Sequence, residues 1–97
     1  MPTYIALANI TDQGIRTMKD LARRLQNAEQ TFSQMGAQLH DVYLVMGPYD
    51  YVIIADAPDD ETIARVSLAI AGQGNVRTQT IRAFDRSEMM RLVEGLP

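Results

Sequence analysis

The stretch Val45–Asp56, VMGPYDYVIIAD, joins a turn to a strand that is apolar on both sides. Gly47 and Pro48 interrupt an apolar run, as the residues of a turn do. In the strand that follows, both alternating sets of side chains are apolar: Tyr51, Ile53 and Ala55 on one side, Val52 and Ile54 on the other. An antiparallel sheet that faces water alternates apolar and polar side chains. The pattern therefore predicts a strand that is covered on both faces.

Three further strands are predicted on either side of this stretch. Short apolar or alternating runs, rich in Val, Ile, Thr and Tyr, are typical of strands. With the strand above, they span Thr3–Ile10, Ala37–Met46, Tyr51–Ala57 and Val76–Phe84. The second and third are close enough to form a hairpin through the Gly-Pro turn.

Three helices are predicted between and after these strands. Apolar residues three and four apart favour a long helix that ends at Gly36, and its start is open between caps at Asp12, Thr17 and Asp20. A second helix begins at Asp59 or Asp60 and ends at Gly72–Asn75. A short terminal helix follows a cap at Asp85 or Ser87.

The element order β-α-β-β-α-β with a terminal helix predicts an α+β, ferredoxin-like fold over residues 1–97 as a single domain. Two helices then cover one face of a four-stranded antiparallel sheet, and the chain leaves the other face open. An exposed apolar face marks an interface. The expected cover is the sheet of a second copy, packed face to face in a dimeric α/β barrel.

Composition narrows the possible partners. The 97 residues carry a net charge of −3 and include no cysteine. An acidic surface repels phosphate, which argues against nucleic acid as a partner. Without cysteine or a histidine pair, no metal site is expected, and no cofactor is implied. No apolar run is long enough to span a bilayer, and the start lacks the pattern of a signal peptide. A cytoplasmic protein without a membrane partner is therefore expected.

The turn also holds the main candidates for a binding site. In one interpretation, Asp50 accepts hydrogen bonds from turn amides, one tyrosine packs in the sheet and the other lies at the surface. In the alternative, the turn borders a cleft where Tyr49, Asp50 and Tyr51 bind a small polar metabolite. His40 and Arg82 are further candidate ligand-binding residues, and Asp56 is a candidate partner for an arginine of the last strand. No catalytic residue is assigned.

The same stretch carries a family resemblance. Gly47, Tyr49 and Asp50 resemble the Gly-Tyr-Asp signature of the GYD domain family, and Ile10–Asp20, Ala57–Glu61 and Gly74–Phe84 resemble its other blocks. The resemblance implies a small ferredoxin-like α/β barrel protein and no assigned chemistry. More loosely, the chain is similar to the ligand-binding domain of leucine-responsive-type regulators. Those domains sense amino acids between subunits, but this chain lacks their helix-turn-helix.

Two function classes follow. The first is a homo-oligomeric, non-enzymatic module that binds a small molecule or another protein. The alternative is a small cofactor-free enzyme, similar to monooxygenases built on dimeric α/β barrels, with Asn9, His40, Tyr43, Tyr51 and Arg82 inside the barrel. Fold analogy alone supports this alternative. An enclosed void facing His40 or Arg82 would favour the enzyme.

Overall fold

A computed structural model describes all residues from Met1 to Pro97. The helices are α1 Asp12–Arg16, α2 Leu21–Gln34, α3 Asp60–Ala71 and α4 Arg86–Glu94, with a 3-10 turn at Met18–Asp20. The strands are β1 Thr3–Ile10, β2 Gln38–Leu44, β3 Tyr51–Asp56 and β4 Val76–Ala83. The βαββαβ order with a C-terminal helix is thus confirmed.

The four strands form one antiparallel sheet in the order β2-β3-β1-β4. Tyr4 of β1 pairs with Ala55 of β3 and Arg82 of β4, which places these three residues on the same face. Helices α2 and α3 cover that face, and it is called the helix face below. The core lies between these layers and consists of Tyr4, Phe32, Ala37, Ala55, Ala57, Ile63 and Val66.

The opposite face of the sheet, called the open face below, has no helix over it. Its centre is formed by Ile5, Leu7, Tyr43, Val52, Ile54 and Ile81, which the strand register places side by side. Tyr43 and Ile81 are 52% and 51% exposed. The expectation that this chain leaves an apolar sheet face uncovered is confirmed.

The long helix expected before Gly36 is divided, because α1 ends at Arg16 and Thr17 leaves the helical conformation, with a φ of −117° and a ψ of 29°. Thr11, rather than Asp12, caps α1: its hydroxyl accepts from the Gly14 amide at 3.0 Å. Thr17 then precedes the 3-10 turn, and Asp20 precedes α2 without a side-chain cap bond. Each of the other two expected starts therefore lies at one of the breaks.

Helix ends elsewhere follow local chemistry. Gly36 has a φ of 81° after α2, a backbone conformation that glycine adopts without strain. Asp59 caps α3 by accepting from the Thr62 amide at 2.8 Å. Asp85 caps α4 in a capping box with Glu88, so two amide groups at that helix end are satisfied by side chains.

The connection from β2 to β3 is held to the end of β1. Gly47 has a φ of 119° there, which favours glycine. The Asp50 amide donates to the Ala8 carbonyl at 2.9 Å, and its carboxylate accepts from the Ile10 amide at 2.8 Å. One residue therefore extends the β1–β3 pairing and fixes the turn against the sheet.

Gly14→Ala should destabilise the protein by about 1–3 kcal/mol through steric overlap. A Cβ at this position would overlap the Asn75 carbonyl oxygen and lie 2.9 Å from Ile10 Cγ2. Gly95→Ala is the control, because its Cβ would meet nothing closer than 3.5 Å. Urea unfolding measures both, and equal midpoints for the two variants would contradict the packing of α1 against the loop before β4.

Asp50→Ala should lower the free energy of unfolding by about 1–2 kcal/mol, because the Ile10 amide loses its acceptor. Asp50→Asn keeps an acceptor oxygen at the same position and should recover part of the loss. Thermal and urea unfolding of the pair measure the effect. An unchanged midpoint for Asp50→Ala would show that this bond does not hold the turn.

Candidate functional site

Tyr49 reaches from the turn across β1 to the far strand of the sheet. Its hydroxyl donates to Gln79 Oε1 on β4 at 2.9 Å, and Gln79 is paired with Leu7 on the open face. Beside it, the side-chain amide of Asn9 donates to the Pro48 carbonyl at 2.9 Å. The turn therefore lies along one end of the open face, with Tyr49 at its rim.

Tyr51 points the other way, since side chains alternate along a strand. It is buried on the helix face, and its hydroxyl lies 3.8 Å from Met18 Sδ. Burial raises the pKa of Tyr51, while the nearby charge of Arg24 acts in the opposite direction. One tyrosine of the turn thus packs in the core and the other lies at the surface, as the first interpretation has it.

Asp50 does not play the role that this interpretation gave it. Its carboxylate accepts from the Ile10 amide, 40 residues away in sequence, rather than from an amide of its own turn. The reason is the sheet order, which brings the end of β1 beside the start of β3. The side chain is half-buried and committed to this bond.

His40 lies at an irregularity in the β2–β3 ladder, where the register shifts between Leu39 and Asp41. Strict alternation along a strand would place His40 and Asp41 on opposite faces, and this bulge interrupts that alternation. His40 Nε2 lies 2.7 Å from Asp56 Oδ2, and Thr3 donates to the other carboxylate oxygen at 3.0 Å. The His40 hydrogen bond is the main reason that the pKa of Asp56 is lowered.

Arg82 lies on the helix face of the edge strand β4. Its guanidinium stacks 4.4 Å from the Phe84 ring centre, lies 3.4 Å from Glu88 Oε2, and donates to the carbonyls of Thr3 and Ala83. Asp56 is therefore not its partner. That expectation is wrong because β1 separates β3, which carries Asp56, from β4.

The five sequence-derived candidates do not form one site. Tyr49 and Asp50 lie at one end of the open face, and His40 is near Asp56 at the far end of β3. Tyr51 and Arg82 lie on the helix face, so neither can line a barrel formed between two open faces. Sequence reasoning missed Gln79, whose only signal was its position among alternating residues of the last strand.

Two hollows accompany these groups. One is an apolar cavity of about 100 Å³ between the sheet and helices α2 and α3, bordered by Tyr51 and Arg24. The other is an open groove between α3 and β4, where Tyr4 donates to Asp60 at 2.5 Å. Burial, together with that hydrogen bond, raises the pKa of Tyr4 to about 12.

Two kinds of feature are absent from the structure. No group of three or more His, Asp or Glu side chains is arranged to hold a metal ion. No helix has the length and apolar character that crossing a bilayer requires.

Known proteins share this fold. A feast or famine regulatory protein from M. tuberculosis, solved with L-methionine, superposes with a TM-score of 0.66 at 18% identity. The match covers 88% of this chain and 51% of the regulator, so the chain spans about half of that protein. A crystal structure of a Thermus thermophilus protein superposes with a TM-score of 0.56 at 28% identity, covering 88% of this chain and 95% of that one.

Sequence comparison identifies the family. A protein of Thermus thermophilus, named glutamine synthetase and cystathionine beta-lyase binding protein, is 34% identical over 91 residues. Those residues are 93% of this chain and 96% of that protein. The GYD domain matches residues 4–93, including the turn that ties β2, β3 and β1 together. The chain belongs to the GYD domain family.

Proposed function

We propose that this protein is a non-enzymatic interaction module that pairs with a second copy through its open face and binds a metabolic enzyme. The observation that carries the proposal is the contrast between the two kinds of surface residue. The apolar centre of the open face lacks a cover, whereas the polar candidates Asp50, Tyr49, His40 and Arg82 are all engaged within the chain.

The open face favours a second copy as its cover. Ile5 and Leu7 of the central strand lie between Val52 and Ile54 on one side and β4 on the other. A stable interface buries about 800 Å² on each partner, which is the scale of a whole sheet face. Pairing two such faces would also bury additional apolar surface. A small domain gains from this, because it buries only a limited fraction of its own surface on folding.

The turn would then stand at the edge of the interface. Tyr49 is held by Gln79 at one end of the open face, where the contact area with a face-to-face partner would end. Tyrosine supplies a large contact area with a polar tip, and it is enriched in protein interfaces for that reason. Gly47 and Asp50 fix its position through the backbone, so Tyr49 is available for contact with a further protein.

The kind of partner is proposed from the Thermus relative. That protein is named for binding two enzymes, glutamine synthetase and cystathionine beta-lyase. The alignment covers nearly the full length of both chains. Exposed apolar residues of α4 provide further contact surface, namely Met89, Met90, Leu92 and Val93, each about half exposed.

The cofactor-free enzyme is the weaker alternative. It requires several polar groups around one substrate in a cavity. Here Arg82 and Tyr51 face the helices, while His40 is bonded to Asp56 across the sheet from Tyr49. The apolar cavity is bordered by neither His40 nor Arg82.

Light scattering should find a dimer or a multiple of it at micromolar concentration. Ile54→Lys places a charge in the centre of the open face and should yield monomers, because a buried unpaired charge is strongly unfavourable. Leu68→Lys is the matched control, since Leu68 on α3 is 73% exposed on the other side of the sheet. A monomeric wild type, or dissociation by Leu68→Lys alone, would contradict the open-face dimer.

Tyr49→Phe should leave the fold and the dimer intact and weaken enzyme binding severalfold, because the ring loses its bond to Gln79 and its fixed position. Gln79→Met removes the same bond from the other side and should have the same effect. Surface-bound glutamine synthetase and cystathionine beta-lyase from the same organism measure the affinities. Unfolding of Tyr49→Phe would assign the hydroxyl a structural role, and absence of binding by wild type to both enzymes would overturn the proposed partner.

A further inference from the structure

The cavity on the helix face has a polar end. Arg24 of α2 borders it, and the Nε atom of Arg24 is buried without a hydrogen-bond partner. Its Nη2 donates to the carbonyls of Gly14 and Thr17 at 3.3 and 3.2 Å. None of the four ion pairs of the protein includes Arg24. This half-buried cation thus has carbonyl partners but no anion.

A second underused donor lies next to it. Tyr51 also borders the cavity, and the one acceptor of its hydroxyl is Met18 Sδ at 3.8 Å. Arg24 Nη2 is 3.5 Å from the same sulfur. Thioether sulfur is a weak acceptor, so a strong acceptor is missing where these two donors meet. Burial raises the pKa of Tyr51, which keeps its hydroxyl a donor.

Most of the remaining cavity wall is apolar, and its other polar residues are Ser67, Gln73, Asn75, Thr78 and Thr80. Its walls include Ala6 and Ile53 of the sheet, Leu25 and Ala28 of α2, and Val66 and Ile70 of α3. Its volume of about 100 Å³ is below the roughly 150 Å³ of a dry apolar cavity that accepts benzene. A bound molecule would therefore need a short hydrocarbon part and one anionic end.

We propose that this cavity binds a small monocarboxylic acid, with its carboxylate between Arg24 and Tyr51 and its short apolar chain among the core residues. A carboxylate offers two acceptor oxygens, which suits the two underused donors, and it supplies the anion that Arg24 lacks. The hydrocarbon chain fills space that water occupies poorly. The site lies on the helix face, so it is independent of the open-face dimer and of enzyme binding.

Propionate is the probe, and propionamide is its neutral control of the same shape. Titration of the full-length protein, followed by methyl NMR and calorimetry, should give saturable shifts of Ile53 and Val66 with propionate. Propionamide should bind about tenfold more weakly, because it cannot form charge-assisted bonds. Shifts confined to open-face methyl groups, or equal affinity for the amide, would overturn the proposal.

Two variants test the cavity from opposite ends. Tyr51→Phe removes one donor without changing the ring and should lower propionate affinity about three- to tenfold. Ala28→Leu fills the apolar end and should abolish binding of both probes. Light scattering on the same samples reports the dimer separately, so a failed dimer and a failed ligand site are distinguishable. Unchanged propionate affinity in Ala28→Leu, or no saturation by wild type at tens of millimolar, would show that the cavity is not the site.

Discussion

The structure depends on one constraint: its central strands are apolar on both faces, while its own helices cover one of them. Crossovers of the β-α-β type are right-handed in nearly all proteins, and here both α2 and α3 lie on the same side of the sheet. Ile5 and Leu7 therefore remain open while Tyr4 and Ala8, their neighbours on β1, are buried. The open face therefore offers an apolar surface to another molecule, and the proposed pairing of two open faces would supply its cover.

On this sheet, each residue of the Gly-Tyr-Asp signature has a separate structural task. Gly47 adopts a positive φ, Tyr49 spans the sheet to Gln79, and Asp50 binds the end of β1 through its amide and its carboxylate. None of these tasks requires chemistry on a substrate. A signature that positions a loop at the rim of a sheet is compatible with many partners.

Local patterns predicted the fold well, because strands and helix caps are determined by short segments of the sequence. The β1 strand begins and ends where the apolar run does, and Asp59, Asp85 and Gly36 lie where caps were expected. The close contact of Gly14 with the Asn75 carbonyl was not predictable, since the two residues are 61 positions apart in the chain. The same holds for the candidate site. Alternation along a strand assigns faces only within that strand, so it could not show that Arg82 lies with Tyr51, or that a bulge turns His40 towards Asp56.

The two faces of the sheet differ in what they lack, and this separates their functions. The open face lacks apolar cover over a broad area, which suits a flat protein partner. The helix face has a cation, Arg24, without an anionic partner, and it has a small unfilled cavity, since alanines such as Ala6 and Ala28 leave space between the sheet and the helices. A ligand that binds only the folded state stabilises it in proportion to the logarithm of its concentration over Kd. Such a ligand and a second copy would contact opposite faces of β1 and β3, so neither would occupy the surface that the other needs.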